Sequence, residues 1–417
     1  MGDRPDPEID VRRARRARRA RIRRRRALVA VSLLAVAALL VTAAEAGFGA
    51  DTDEAATTPA TQPVHPPPTS TQPPSAGHST APPSTSGGGR HANIYAGILP
   101  GKFSPAVRGM PERVYVPNSE SGTVTVINPA TFHIIRTYRT GNYDQHITPS
   151  WNLHWLYVNN TTSNTLTVLN PHTSRPVRTI PVTDPYNLYF TPDGRRAIVV
   201  AESLQRVDFR NPHTWRLIKS VHIPSPGPDH LDFTANGHAF LISCEFAGTV
   251  YRVDTHSMRV TGRVAVGGLP VDVKLSPDAT RFYVANQGSG GVTMISAQTL
   301  HILGFIHTGQ GAHGLAISRN TRHLYVANRL AGTISVISFT HHRVTATWHV
   351  GGSPDMLQVS PNGRQLWTSN RFNGTISVIN TMTGHVIHTI TVGTSPHGLA
   401  YFPQPGTHSL GHNGVYR

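Results

Sequence analysis

The sequence predicts an all-β fold, a seven-bladed β-propeller of four-stranded blades. The first observation behind this prediction is a block of about 42 residues that occurs seven times, with anchor positions spaced by 42, 41, 43, 42, 42 and 42 residues. The second is the period-two alternation of apolar and polar side chains after residue 110, which excludes helical solenoids of similar repeat length. The anchors are Tyr115, Tyr157, Ile198, Leu241, Tyr283, Tyr325 and Trp367.

Each block contains four predicted strands separated by turns. In the fifth block an inner run at residues 271–275 is followed by the turn Ser276-Pro277-Asp278, where proline presets φ. The anchor strand at 282–286 and the next run at 292–295 flank a glycine turn. A fourth run closes each block, as residues 386–392 do in the last one. Four antiparallel strands per repeat make one propeller blade.

The two ends of the repeat region predict that the propeller closes into a ring. Residues 113–116 form an anchor strand without a preceding inner strand, and residues 398–402 form an inner strand without a following anchor. Pairing these two strands completes blade one from both ends of the chain. Closure also removes the exposed strand edges that favour aggregation.

A shared motif appears in Tyr157–Asn160, Tyr283–Asn286, Tyr325–Asn328, Gly332–Ile337 and Gly374–Ile379, with the pattern Tyr-Val-x-Asn and then Gly-Thr-Ile-Ser-Val-Ile. In this motif the sequence resembles the YVTN-repeat β-propellers of bacterial and archaeal surface proteins, which fall in the lactonase-like propeller superfamily. The resemblance covers roughly residues 110 to 405 and implies the propeller fold. It does not imply one activity, because such propellers host unrelated functions.

Blades three and four depart from the motif. Ala201 and Cys244 replace the asparagine, and Gln205 stands where the turn usually has Gly or Asn. As the only cysteine, Cys244 cannot form an internal disulfide, and we expect it to be a small buried residue. A structural role, with hydrogen bonds to neighbouring backbone, is expected for the repeated asparagines Asn118, Asn160, Asn286, Asn328 and Asn370.

The residues before the repeats predict a membrane topology. Residues 1–26 hold twelve Arg and four acidic residues, about half of the net charge of +16, and Ala27–Ala44 then contain no charge. An apolar run of this length spans a bilayer as a helix, and the arginines keep its first end in the cytoplasm. Ala44-Glu45-Ala46 also fits a signal-peptidase site, so residues 27–46 are either a retained signal-anchor or a cleaved signal peptide.

The remaining segments follow from composition. Residues 47–90 are a predicted disordered linker, because residues 55–89 contain nine Pro, twelve Ser or Thr and no Asp, Glu, Lys or Arg. Residues 91–110 are a lead-in segment, 111–405 the propeller and 406–417 a C-terminal tail. We expect the propeller at the cell membrane on the extracytoplasmic face, or secreted if the chain is cleaved after Ala46. The arginine run needs no nucleic acid partner, because its topological role explains it.

Candidate functional residues are sought where the repeats differ. The two positions at the start of each predicted inner strand should ring one mouth of the central channel, where a solvated surface is expected. Two to three imidazoles and a carboxylate on consecutive blades, with His313, Asp355 and His397 as the candidates, could hold a divalent metal. The candidate ligand-binding residues at this mouth are His146, Asp229, His230, Asp272, His313, Asp355 and His397.

Three functions remain open at this point. The first is a ligand- or protein-binding surface module with a protein or cell-wall partner. The second is a metal-assisted hydrolase or lyase of the lactonase-like propeller type. The third is a structural surface-layer component. The sequence contains no Gly-x-Ser-x-Gly, no His-Glu-x-x-His and no phosphate-binding loop, which favours binding over catalysis.

Overall fold

The computed structural model describes residues 93–412 and 416–417. These residues form seven four-stranded sheets, and the inner strands of neighbouring sheets contact each other around a ring. The prediction of an all-β seven-bladed propeller is therefore confirmed. The predicted cytoplasmic tail (1–26), membrane segment (27–46) and linker (47–90) lie outside the described residues.

The strands follow one another blade by blade, with an inner strand first in each blade after blade one. Blades one to four contain β1 (Arg113–Asn118), β2 (Thr123–Ile127), β3 (Ile134–Arg139); β4 (Asp144–Pro149), β5 (Leu156–Asn160), β6 (Thr165–Asn170), β7 (Arg175–Pro181); β8 (Asn187–Phe190), β9 (Ala197–Ala201), β10 (Arg206–Arg210), β11 (Leu217–His222); β12 (Pro228–Phe233), β13 (Ala239–Cys244), β14 (Thr249–Asp254) and β15 (Arg259–Ala265). Blades five to seven contain β16 (Pro270–Leu275), β17 (Arg281–Asn286), β18 (Gly291–Ser296), β19 (Ile302–His307); β20 (Ala312–Ile317), β21 (His323–Asn328), β22 (Thr333–Ser338), β23 (Arg343–His349); β24 (Pro354–Val359), β25 (Gln365–Asn370), β26 (Thr375–Asn380) and β27 (Val386–Thr391), and β28 (Ala400–Phe402) returns to blade one.

Helical structure in the described part of the chain is limited to short 3-10 turns. These turns are Ala96–Ile98, Pro105–Val107, Glu202–Leu204 and Glu245–Ala247. Across residues 93–412 and 416–417, no helix is long and apolar enough to cross a membrane.

Burial decreases from the axis to the rim of each blade. The inner strand β4 is buried along its whole length, whereas the outer strand β3 alternates between exposed and half-buried residues. Both faces of an inner strand pack against neighbouring blades, so the side chains on both faces are removed from water. The single cysteine, Cys244, is buried as predicted, and burial raises the pKa of its thiol to about 12.

Blade one closes the ring as the sequence predicts. β28 pairs antiparallel with β1, and Val114 lies opposite Tyr401. A bridge between Asn118 and Pro396 extends the contact beyond β28. The last strand of the repeat region therefore supplies the inner edge of the first blade.

The repeated asparagine has the predicted structural role, and in four of the five blades that contain it the side-chain amide donates to hydroxyl groups instead of backbone. The Asn118 amide donates to the hydroxyls of Thr123 and Thr125, 3.1 and 3.0 Å away on the next strand. Asn160, Asn328 and Asn370 make the same pair of bonds in their blades. Asn286 donates to backbone carbonyls instead, because Gly291 replaces the first hydroxyl residue. The Asn and the Gly-Thr-x-Ser parts of the motif therefore form one hydrogen-bonded unit.

Gln205 occupies the same backbone conformation as the turn glycines it replaces. Its φ is 52°, in the left-handed region, and the equivalent Gly248 and Gly332 have φ of 59° and 63°. A non-glycine residue there costs of order 1 kcal/mol. Blade three therefore keeps the left-handed residue at the end of the turn although it lacks the glycine.

The segments that flank the repeats close the end of the channel where the inner strands finish, which we call the back end. The Tyr95 hydroxyl donates to the Leu275 carbonyl, 3.0 Å away at the end of β16. The tail runs beside β8, with the Phe190 amide donating to the Leu410 carbonyl at 2.9 Å. Arg417 then donates to the Phe233 carbonyl at the end of β12. The opposite end, where the inner strands begin, is the front mouth.

Ring closure can be tested with a cross-strand disulfide. We expect Val114→Cys with Tyr401→Cys to cross-link on oxidation, because these positions face each other across the β1–β28 pair. The cross-link should stabilise the fold by up to about 5 kcal/mol, since it closes a very long loop of the unfolded chain. Non-reducing gel mobility and thermal unfolding measure both effects.

The matched control is Val114→Cys with Phe402→Cys. Residue 402 points to the other face of the strand, so this pair should remain reduced under the same conditions. Equal cross-linking of both pairs, or of neither, would contradict the observed register.

Candidate functional site

Five histidines meet at the channel axis near the front mouth, four of them predicted and one from the tail. They are His146, His230, His313, His397 and His412, and we call them the histidine cluster. Neighbouring ring centroids lie 4.1 to 6.4 Å apart. Each residue is at most 4% exposed. The cluster is therefore closed to bulk water, and the expectation of a solvated channel lining is wrong at this depth.

Irregular pairing at the start of the inner strands explains why these side chains reach the axis. The register between β4 and β5 passes from Asp144 to Ile147, so residues 145 and 146 leave the ladder. Residues 229–230, 313–314 and 355–356 are likewise left out of the pairing with the next strand of their blades. As in a β-bulge, residues released from the ladder can re-aim their side chains. These are the positions at which the sequence predicts a site.

Asp355 is the ionic centre of one side of the cluster. Its carboxylate oxygens lie 3.1 Å from His313 Nδ1 and 2.6 Å from His397 Nδ1. Arg329 Nε donates to the same carboxylate at 2.8 Å, and Arg371 Nη1 lies 3.6 Å away. Burial alone would raise the pKa of Asp355, but the Arg329 guanidinium and the two imidazoles hold it well below its ordinary value. The carboxylate is therefore ionised and fully engaged.

The two histidines beside Asp355 are neutral. Burial, with the nearby Arg329 guanidinium, lowers the pKa of His313 well below its ordinary value. Burial and the Arg371 guanidinium lower the pKa of His397 to about 4. A neutral ring has one donor and one acceptor nitrogen, so His397 Nδ1, which forms a hydrogen bond with Asp355, is the donor.

The two remaining predicted aspartates differ in their surroundings. Asp229 Oδ1 lies 2.6 Å from His230 Nδ1, and although burial opposes it, this carboxylate raises the pKa of His230. Asp272 instead accepts a hydrogen bond from the Leu315 amide at 2.8 Å and lies 3.5 Å from the Lys274 ammonium. Its contacts join the inner strands of blades five and six, which indicates a structural role.

The predicted metal set of His313, Asp355 and His397 forms an ion-pair network. A cation bound there would compete with Arg329 for the same carboxylate, so the arrangement does not suit a metal. A different set, His146, His230 and His412, places one ring nitrogen from each residue within 4.8 Å of the others. His412 carries no sequence signal, because it lies in the tail outside the repeats.

A ring of side chains above the cluster was missed by the sequence analysis. The position directly after the repeated asparagine, or after the residue that replaces it, is polar or charged in every blade. We call the set of these seven residues the front ring. In blade order it is Ser119, Thr161, Glu202, Glu245, Gln287, Arg329 and Arg371. Aligning the repeats at this position would have revealed it, because acidic residues fall on blades three and four and arginines on blades six and seven.

Hydrogen bonds connect the two charged halves of the front ring. Arg329 Nη1 donates to Gln287 Oε1 at 2.9 Å, and Gln287 Nε2 lies 3.3 Å from Glu245 Oε1. Burial and the Asp229 carboxylate raise the pKa of Glu245 to about 7. Blades four to seven therefore share one polar network that ends at Asp355.

Exposed apolar side chains lie next to charged residues of the front ring. Phe246, Leu330 and Phe372 follow front-ring residues directly and are 56%, 66% and 66% exposed. The Arg329 guanidinium lies 5.8 Å from the centre of the Phe372 ring, a cation–π distance. We call these three residues the apolar rim.

Comparisons with known proteins identify the architecture. A sequence model of the YNCE-like β-propeller family matches residues 102–404. No curated protein matches the sequence. Among solved structures, a functionally unknown protein from Desulfotomaculum acetoxidans is 16% identical with a TM-score of 0.59, covering 69% of this chain and 98% of its own.

Two further solved structures are similar to the chain. A protein provisionally assigned as a 6-phosphogluconolactonase from Bacteroides uniformis is 17% identical with a TM-score of 0.57, over 70% of this chain and 99% of its own. Hydrazine synthase from Kuenenia stuttgartiensis is 17% identical with a TM-score of 0.57, over 64% of this chain and 92% of its own. At these identities the likeness shows the fold alone.

The ion-pair network predicts a large cost for neutralising Asp355. We expect Asp355→Asn to lower the free energy of unfolding at pH 7 by about 3–5 kcal/mol, because it removes the buried counter-charge of two half-buried arginines. The folded-state pKa of Asp355 is lowered, so its contribution is present above the unfolded pKa of about 4 and is lost as the pH falls through the folded value. The difference from wild type should therefore be full at pH 7 and 5 and shrink at pH 3.

Urea unfolding at these three pH values measures the effect. Asp193→Asn is the matched control, because its ion pair with Arg195 is 3.9 Å long and exposed on both sides. Equal effects of the two substitutions would show that the Asp355 network does not stabilise the fold.

Proposed function

The chain belongs to the YNCE-like β-propeller family, and we propose that it is a membrane-anchored extracytoplasmic binding module whose ligand occupies the front mouth. The observation that carries the proposal is the divergence of the front ring within an otherwise repetitive scaffold. A symmetric fold needs no charge asymmetry for its stability. Opposite charges on opposite sides of one mouth give a ligand a defined orientation.

The charges at the mouth indicate the class of ligand. Arg329 and Arg371 share the single carboxylate of Asp355, which leaves a net positive charge on blades six and seven. A carboxylate of the ligand would supply a second negative charge for the two arginines. Arginine is suited to that role because its planar fork binds carboxylates in a bidentate manner.

The apolar rim adds a second requirement. Exposed Leu330 and Phe372 lie directly beside the arginines, and Phe246 lies across the ring on blade four. Exposed apolar groups around a polar centre are typical of recognition surfaces. The proposed ligand is therefore a small molecule, or the end of a protein or cell-wall chain, that carries a carboxylate next to an apolar group.

The membrane location rests on the sequence of residues 1–46. The arginine-rich segment before an uncharged run supports a single span with the propeller outside. We favour a retained anchor over cleavage after Ala46, because residues 1–26 are long for a signal peptide. The linker would then hold the propeller away from the bilayer.

The metal-assisted hydrolase or lyase remains the second candidate. The histidine cluster at the floor of the mouth favours it, since imidazoles there could hold an ion next to a bound substrate. Binding ranks first because Asp355 is engaged by two arginines and two histidines and is not free to act as a general base.

The ligand class can be tested with N-acetyl-phenylalanine, which carries a carboxylate beside an apolar ring. We expect the full-length chain in detergent to bind it weakly, in the millimolar range usual for so small a ligand. Binding should be at least about tenfold weaker in Arg371→Gln, which removes one guanidinium from the mouth. Ligand-observed NMR and calorimetry measure both affinities.

Two controls accompany this measurement. N-acetyl-phenylalanine amide lacks the carboxylate and should not bind, and Arg343→Gln removes an exposed arginine of an outer strand and should leave the affinity unchanged. Equal binding of acid and amide, or an unchanged affinity of Arg371→Gln, would argue against the front mouth as an anion site.

The topology has a separate test. Protease added to intact cells should cut within residues 55–89 and release a folded propeller, because an extended chain is cleaved before a compact domain. Sequencing the first residues of the uncut protein distinguishes a retained anchor from cleavage after Ala46. A cytoplasmic marker protein must remain uncut. Recovery of the full-length chain from the cytosol would refute the proposed location.

A further inference from the structure

Three members of the histidine cluster come from distant parts of the chain and face one another across the axis. His146 is the third residue of β4 in blade two, His230 is the third residue of β12 in blade four, and His412 belongs to the tail. The ring centroids of His146 and His412 are 4.1 Å apart, those of His230 and His412 are 4.6 Å apart, and those of His146 and His230 are 5.1 Å apart. One nitrogen from each ring lies within 4.8 Å of the other two.

These rings hold nitrogens without hydrogen-bond partners. Neither ring nitrogen of His146 or His412 has one in the described part of the chain, nor does His230 Nε2. The three residues are 0%, 1% and 0% exposed. Leaving a buried polar atom unpaired costs about 1–3 kcal/mol. Several such atoms at one point therefore indicate an occupant that supplies their interactions.

A carboxylate beside one of the rings suits the binding of a cation. His230 holds the Asp229 carboxylate against its Nδ1 at 2.6 Å. Metal-binding histidines commonly have such a carboxylate on the nitrogen that does not bind the ion, where it orients the ring.

The surrounding backbone fixes the positions of two of the rings. A Cβ at Gly398 would lie 1.9 Å from His146 Nδ1, so this ring can take its place only beside a glycine. Gly411 forms a bridge with Tyr189 on β8, which holds the tail in the channel one residue before His412. The site is therefore built by the scaffold and by the tail together.

We propose that His146, His230 and His412 bind one divalent transition-metal ion, with Zn²⁺ as the probe that fits them. Three imidazole ligands suit the borderline ions Zn²⁺, Cu²⁺ and Ni²⁺ and disfavour Mg²⁺ and Ca²⁺, which prefer oxygen ligands. The ion joins blade two, blade four and the tail through the axis. This site does not depend on the proposed front-mouth ligand or on the membrane topology.

The test uses the full-length chain, purified in mild detergent with an affinity tag that contains no histidine. After removal of metals with a chelator at pH 7.5, Zn²⁺ is titrated against a chromophoric competitor. We expect one ion per chain and a higher thermal unfolding midpoint with Zn²⁺, because an ion that binds only the folded state stabilises it. Mg²⁺ at the same concentration should have no effect.

The decisive variant is His412→Gln, which removes a ligand from the tail and leaves the blades intact. We expect its Zn²⁺ affinity to fall at least about 100-fold, and that of Asp229→Asn, which loses only the orienting carboxylate, to fall about 10-fold or more. His408→Gln is the matched control, since it removes a half-buried histidine of the same tail whose Nδ1 contacts Thr407. It should bind as wild type does.

Three outcomes would overturn the proposal. They are absence of Zn²⁺ binding to the wild-type chain, an equal affinity of wild type and His412→Gln, or an equal loss in His408→Gln. Absence of binding would leave an ordered water as the partner of the unpaired nitrogens. Binding of Co²⁺ in place of Zn²⁺ gives an independent check, because its visible spectrum should show nitrogen ligands in wild type and change in His412→Gln.

Discussion

The pairing of β1 with β28 is the constraint on which the rest of the structure depends. It joins the two ends of the repeat region and gives β1 a partner strand on the side that faces the axis. Because the ring is closed, equivalent positions of all seven repeats occupy equivalent heights along one axis. That geometry places side chains from blades far apart in sequence within a few ångströms of each other, and both the histidine cluster and the front ring follow from it.

The fold could be predicted because its determinants are local and repeated. The bond from Asn118 to the hydroxyls of Thr123 and Thr125 lies within one blade, so the same few residues specify each sheet independently. Gln205 shows that a departure in one repeat does not alter the architecture, since it has the same left-handed φ as the glycines at equivalent positions. The closing strand was predictable because each end of the repeats lacks one strand.

The site was predictable only where it follows the repeats. His146, His230, His313 and His397 were found because they occupy the two positions at the starts of the predicted inner strands, where the repeats differ. His412 lies outside the periodic region, and its position depends on tertiary contacts that no spacing encodes. Burial of the cluster was likewise unpredictable, because His412 of the tail packs against the rings of His146 and His230. Arg329 and Arg371 carried a signal at the position after the repeated asparagine, but only alignment at that position exposes it.

The closing strand also determines the order in which the protein can be completed. A ribosome makes β1 first and β28 after all the other strands, so blade one waits as a three-stranded sheet with an open edge while six complete blades form. Such an edge invites pairing with another chain, so blade one is open to aggregation until β28 has been made. The tail must enter the channel at the same late stage, so a chain stalled before residue 400 has most of its secondary structure and neither a sealed axis nor its fifth axial histidine.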